Sequence, residues 1–188
     1  FVTDAFLVDF HEFRGFGQGY FDVDKETFDP FLIDYDKSPL ELLYFSRLFQ
    51  MLVITATALV IFFFVSFLLG DEKAFLLTAF VSSSPFFLGH SRVLNHEGMV
   101  AFFVLASIFG LVAYLEYDRK WPYLVISAAA ASLAQLTKSS AMAMMPVIAL
   151  VLAVSVFQNS RERGFVRALF DHLKIFGFWF LVLVIVYF

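Results

Sequence analysis

Apart from its ends, the chain is a series of long uncharged runs separated by short polar turns: 48–69, 74–89, 99–115, 121–137, 139–157 and 175–188 carry no Asp, Glu, Lys or Arg. Each is close to the roughly 20 apolar residues that a helix needs to cross a bilayer, and the shorter ones reach that length by borrowing a snorkelling flank. A buried helix of a soluble protein would show a polar face at a period of 3.6, whereas these runs are apolar all round. Unpaired backbone groups cannot be left in hydrocarbon, so the runs must be helices rather than strands of an open sheet. The pattern therefore predicts an all-α polytopic membrane protein. Its six spans lie over 48–69, 74–90, 98–116, 121–137, 139–157 and 175–188, and together they form a bundle covering 46–188.

The turns predict an orientation. The segments 71–73, 118–120 and 161–174 alternate with the spans so as to fall on one side, and they hold seven of the basic residues: Lys73, Arg119, Lys120, Arg161, Arg163, Arg167 and Lys174. The opposite turns carry only Arg92 and Lys138, so the first side is expected to be cytoplasmic. Segment 158–174 reads as a cytoplasmic linker. With Phe165, Val166, Leu169, Phe170 and Leu173 among its basic residues it reads equally as an interfacial amphipathic helix.

Residues 1–45 differ in kind, with ten acidic and three basic residues. They are too polar to span and too few for a core of their own, and they are expected to form a structured extracytoplasmic loop with short surface helices. One such helix is expected over 5–13, broken by Gly15, and Pro30 and Pro39 mark turns. The run Arg14-Gly15-Phe16-Gly17-Gln18-Gly19 lacks the strand, turn and helix context of a phosphate-binding fingerprint.

Composition sharpens this picture. Of 188 residues, 61% are hydrophobic, 16% are charged and 28 are phenylalanine, with a mean hydropathy of +0.81. That is more apolar surface than one small domain can hide from water. The absence of cysteine excludes disulfide scaffolds, thiol catalysis and Cys-based zinc sites. The formal charge of −4 includes no dense basic run, which argues against nucleic acid as a partner. Residues 1–8 lack the basic and apolar regions of a signal peptide. Because it starts at Phe1 and stops inside an apolar run at Phe188, the chain is expected to be a piece of a longer protein.

Polar groups at membrane depth are costly and are candidates for function, which singles out Arg92, His96, Glu97 and Lys138. Each also has a plainer reading. A lone Arg92 or Lys138 at a span end serves as an interfacial anchor, and His90, His96 and Glu97 form only a weak metal-ligand pattern. Ser82-Ser83-Ser84-Pro85 is expected to satisfy its own helix backbone and to kink a span rather than supply a nucleophile. No span carries an ionisable relay along its middle, which disfavours a channel or transporter.

Several segments carry a resemblance when taken in order. These are Ser38-Pro39-Leu40, Arg47 at the entry to a span, Ser84-Pro85-Phe86-Phe87, Ser91-Arg92-Val93-Leu94-Asn95-His96-Glu97, and Leu133-Ala134-Gln135-Leu136-Thr137-Lys138. From Phe1 to Phe157 the chain resembles the GT-C class of membrane glycosyltransferases. Within that class it is most similar to the protein O-mannosyltransferase and aminoarabinose-transferase group, the dolichyl-phosphate-mannose-protein mannosyltransferase family. The specific part is an Arg five residues before an acidic residue after the second span, and a Leu-Thr-Lys after the fourth.

The resemblance implies a GT-C-like bundle and an enzyme that passes a sugar from a polyprenyl-phosphate carrier to an extracytoplasmic acceptor, protein or lipid, with inversion. A phosphate leaving group needs cationic stabilisation and the acceptor hydroxyl needs a general base. Arg92 and Lys138 are accordingly expected to bind the carrier phosphate, with His96 and Glu97 in the substrate-binding set. The family's catalytic Asp, usually followed by Glu, lies early in the first outer loop; Asp4, followed here by Ala5, matches it best and Asp9 is the second candidate. The acidic residue after the Arg is commonly Asp and is here Glu97, and the family's His-Pro-Pro is reduced to Lys37-Ser38-Pro39. No metal ligand is assigned, although a divalent metal cofactor is compatible with the chemistry. The expected setting is a multi-pass protein of the plasma or inner membrane, in contact with membrane lipids. The alternative is a non-catalytic structural subunit of a larger membrane-protein complex that keeps a glycosyltransferase-like scaffold.

Overall fold

The computed structural model describes residues 33, 38–85, 89 and 96–188. Every regular element among them is helical: α1 (Pro39–Leu69), α2 (Asp71–Ser82), α3 (Glu97–Glu116), α4 (Trp121–Thr137), a short 3-10 helix (Ser139–Met144), α5 (Met145–Arg163) and α6 (Phe165–Tyr187). Four helical segments are long and apolar enough to cross a membrane: Leu43–Leu69, Glu97–Glu116, Ser139–Arg161 and Phe165–Tyr187. The protein is thus an all-α polytopic membrane protein. Helices α2, of 12 residues, and α4, of 17, occupy two further apolar runs and are shorter. At a rise of about 1.5 Å per residue α4 is about 26 Å long, slightly less than a bilayer's hydrocarbon thickness.

The chain divides into two compact units, Phe1–Leu52 and Val53–Phe188. In the first, the described part is mainly the start of α1, which opens with Pro39 and has Glu41 in its first turn. Proline is suited to a first helical turn because its missing N–H has no partner to lose there, and a carboxylate favours the positive end of the helix dipole.

The second unit is built around an α3–α4 hairpin. Helix α4 also packs on α6, and α6 on α5. The α4 face toward these neighbours is small: Ser127, Ala128, Ala130, Ala131, Ser132 and Ala134 are all buried. Lipid tails are as apolar as leucine, so helices in a bilayer associate through close van der Waals approach, which such a face permits. Leu111, Leu124, Met144, Ile148 and Trp179 fill the space around it. A second cluster joins Ile54, Ile61 and Val65 of α1 to Ala74 of α2 and to Phe102 and Ala106 of α3.

Buried polar contacts fix the rotation of these helices. The Trp179 indole N–H donates to Ser127 Oγ at 2.9 Å, and Ser127 Oγ donates to the Ser107 carbonyl at 2.6 Å, so one chain of hydrogen bonds crosses α6, α4 and α3. Three residues after Ser107, Gly110 lets α1 and α4 come close. A Cβ there would lie 3.0 Å from Phe64 Cε2 and 3.1 Å from Ser127 Cβ. Gly110→Leu is therefore expected to lower stability by about 1–3 kcal/mol or more through overpacking. Ser127→Ala should cost nearer ~0.6 kcal/mol, the average for interhelical hydrogen bonds in membranes. Thermal unfolding of the two variants in detergent checks the order.

Segment 158–174, expected as a linker or a surface helix, is helical on both sides of Gly164. That residue makes the turn with φ 82°, a backbone region that glycine enters without a Cβ penalty. Buried His172 ties the two helices together: its Nδ1 lies 2.8 Å from the Ala168 carbonyl and its Nε2 2.9 Å from Ser155 Oγ. A carbonyl only accepts, so Nδ1 donates to Ala168, while Nε2 and the Ser155 hydroxyl share the second hydrogen bond. The Asn159 amide donates to the Ser155 carbonyl at 2.9 Å. At the α3–α4 turn, Lys120 pairs with Asp118 at 2.8 Å, and that hydrogen bond holds the lysine above its ordinary pKa.

Candidate functional site

Two of the residues singled out in the sequence meet at one end of the α3–α4 hairpin. Glu97 is the first residue of α3, where its carboxylate favours the positive end of the helix dipole. Lys138 ends α4 in an extended conformation, φ −155° and ψ 126°, and the 3-10 helix starts immediately after it. Its backbone is satisfied on both sides: the N–H donates to the Ala134 carbonyl at 3.0 Å, and its own carbonyl accepts from Ala141 N–H at 3.0 Å. That break in the helix releases the side chain from the α4 surface. The Lys138 ammonium donates to Glu97 Oε1, closing an ion pair across 41 positions of sequence.

The pair is not sealed in the core, since its side chains keep 41% and 43% of their exposure for Lys138 and Glu97. A cation held there by a carboxylate remains reachable by an anionic ligand. Next to Glu97, His96 caps α3 and is exposed; its carbonyl accepts from Val100 N–H at 3.0 Å. Among the described residues, no group of three His, Asp or Glu is arranged to hold a metal. The Ser83 hydroxyl donates to the Phe80 carbonyl at 3.4 Å, which is the backbone role expected of that serine run. Asp4, Asp9, His90 and Arg92 lie outside the described residues.

The profile of dolichyl-phosphate-mannose-protein mannosyltransferases matches residues 45–188, which include both members of the ion pair. The chain belongs to that family. No curated protein and no solved structure matches it. Membership in the mannosyltransferase family supports a glycosyltransferase of mannosyltransferase type in general, set in a membrane and served by a polyprenyl-phosphate-linked sugar. Together with the four apolar helices it makes the chain an integral membrane protein.

The sequence reading did not identify the cross-helix polar contacts Ser107–Ser127–Trp179 and Ser155–His172. The only trace of the first is the run of small residues on α4, at the spacing of one helix face. The second had no trace, because His172 falls among charged residues that read as solvated.

Proposed function

We propose that the protein transfers a sugar from a polyprenyl-phosphate carrier to a protein or lipid acceptor on the extracytoplasmic side, with inversion at the anomeric carbon. The observation that carries this reading is the Lys138–Glu97 pair, a half-exposed cation braced at a helix break, in a chain of the mannosyltransferase family. In this reading Lys138 and Arg92 bind the carrier phosphate, and Glu97 positions Lys138. Asp4 or Asp9 is the general base. The acceptor oxygen attacks the anomeric carbon while its proton passes to the carboxylate. The bond from that carbon to the phosphate oxygen breaks, and the phosphate leaves with the electron pair. Charge builds on the leaving phosphate, so fixed cations beside it lower the barrier. One base and one or two cations suffice, in contrast to the paired carboxylates of glycoside hydrolysis.

The direct test is transfer of labelled mannose from dolichyl-phosphate-mannose, and of other sugars from a panel of polyprenyl phosphates, by the full-length protein in proteoliposomes. Transfer is expected from at least one donor. A folded protein active with none of them would favour the structural-subunit alternative.

The orientation has its own test, made simple by the absence of native cysteine. A single cysteine at Ser140, exposed beside the Lys138 break, is expected to react with an impermeant maleimide added to the extracytoplasmic side of intact cells. One at Arg119 should react only after permeabilisation. The reverse pattern would turn the whole bundle over.

A further inference from the structure

Three buried side-chain polar atoms among the described residues have no hydrogen-bond partner: Thr78 Oγ1, Ser132 Oγ and Gln135 Nε2. Thr78 stands apart on α2, in an apolar groove against α1. The other two are one turn apart on α4, and Lys138, three residues after Gln135, follows where the helix ends. Side chains three apart lie side by side on a helix surface.

Ser132 is an exception among the helix hydroxyls. Thr57 and Thr137 bond back to the carbonyl four residues earlier, and Ser66 and Ser160 to the carbonyl three residues earlier. Ser132 had the same option and does not take it, although it is fully buried. A buried donor without a partner forfeits its hydration with no return, so such groups are rare and point to a ligand or an ordered water. Two in succession, leading to a cation, point to a ligand that enters from the Lys138 end. Its chemistry follows from the groups that await it. A hydroxyl that both donates and accepts, beside an amide N–H that donates, suits neither a prenyl chain, which offers no polar atom, nor a second phosphate, which would call for another cation. It suits the hydroxyl groups of a sugar ring.

We propose that Ser132 and Gln135 are the sugar-recognition residues of the Lys138 site, taking hydroxyl groups of the hexose that the carrier phosphate presents. The assignment rests on the reading of Lys138 as a carrier-phosphate ligand. It makes a prediction that a structural role would reverse. Replacing both groups by apolar residues of similar size removes an unreturned desolvation cost, and Ser→Ala also improves helix propensity. The free protein should therefore be as stable as the wild type or more so, while sugar recognition is lost.

The experiment is thermal unfolding of the full-length protein in detergent, with no lipid, with dolichyl phosphate, and with dolichyl-phosphate-mannose. In the wild type the mannosylated lipid is expected to bind about tenfold or more tighter than the bare phosphate, the scale of one or two hydrogen bonds to buried groups. In Ser132→Ala/Gln135→Met the two lipids should shift unfolding equally, from an unfolding temperature that has not fallen. The single Ser132→Ala variant gives the same readout with a smaller perturbation. A variant that is less stable yet keeps the preference for the sugar would mean that the groups hold a structural water, and would overturn the proposal. Equal shifts by both lipids in the wild type would overturn it while leaving the glycosyltransferase reading intact. No shift by either lipid would count against that reading, and the sugar assignment would fall with it.

Discussion

Lys138→Met is expected to lower sugar transfer by about 10²–10³-fold, the usual loss when one fixed charge-stabilising donor is removed from a reaction centre. The same substitution should leave the unfolding temperature nearly unchanged. The ion pair keeps about four-tenths of its exposure on both sides, and exposed pairs of this kind contribute about 0–1 kcal/mol to stability. Methionine keeps most of the lysine stem's length, so the loss isolates the ammonium. Lys138→Arg should recover only part of the activity, because a planar fork does not sit where a compact ammonium sits against Glu97. Glu97→Gln removes the brace but not the cation, so its effect should be smaller and should appear first in the KM for the carrier lipid. Transfer and unfolding measured on the same three variants decide the matter. A large fall in stability with proportionate loss of activity would make the pair a helix clamp, and full activity in Lys138→Met would remove the residue from the site.

Which parts of this structure could be read from the sequence follows from what apolarity encodes. It reports depth in the membrane, and it located the helices of the bundle without reporting where they end. The uncharged run at 48–69 is only part of α1, which begins at Pro39 and continues through Glu41 and Arg47 without a break. Charged residues end a span but not a helix. The same distinction explains 158–174, where Arg161, Arg167, Asp171 and Lys174 sit on continuous helix on either side of Gly164. Helix rotation is poorly encoded for a related reason. A run that is apolar all round has no preferred face, so the sequence could not say that Ser127 meets Ser107 and Trp179, or that His172 meets Ser155. That Lys138 and Glu97 share one end of the bundle was legible because it depends on topology alone. A residue at the end of α4 and one at the start of α3 occupy the same end of an antiparallel hairpin whatever the rotation of either helix.

The second large effect is expected at the other partner in the reaction. Replacing Asp4 and Asp9 together by Asn should lower transfer by about 10²–10⁴-fold, the contribution of a positioned general base, while carrier binding is kept. The two carboxylates are tested together because both lie early in the segment: Asp4, followed by Ala5 where the family usually has Glu, is the first candidate and Asp9, followed by Phe10, the second. An acceptor hydroxyl hardly ionises near neutral pH, so without a carboxylate to take its proton the attacking oxygen must develop positive charge as it bonds. Asn keeps the size and a carbonyl oxygen but has lost the basicity, which separates proton removal from packing. The single variants then assign the role: the residue whose Asn form matches the double variant is the base, and the other should retain nearly full activity. The pH profile adds an independent sign. If a carboxylate must be ionised to act, activity in the wild type falls on the acid side as that group takes a proton, and this limb should disappear in the residual activity of the double variant. Unchanged turnover in Asp4→Asn/Asp9→Asn would end the assignment of the base to residues 1–45, and the proton acceptor would then have to be sought elsewhere in the protein.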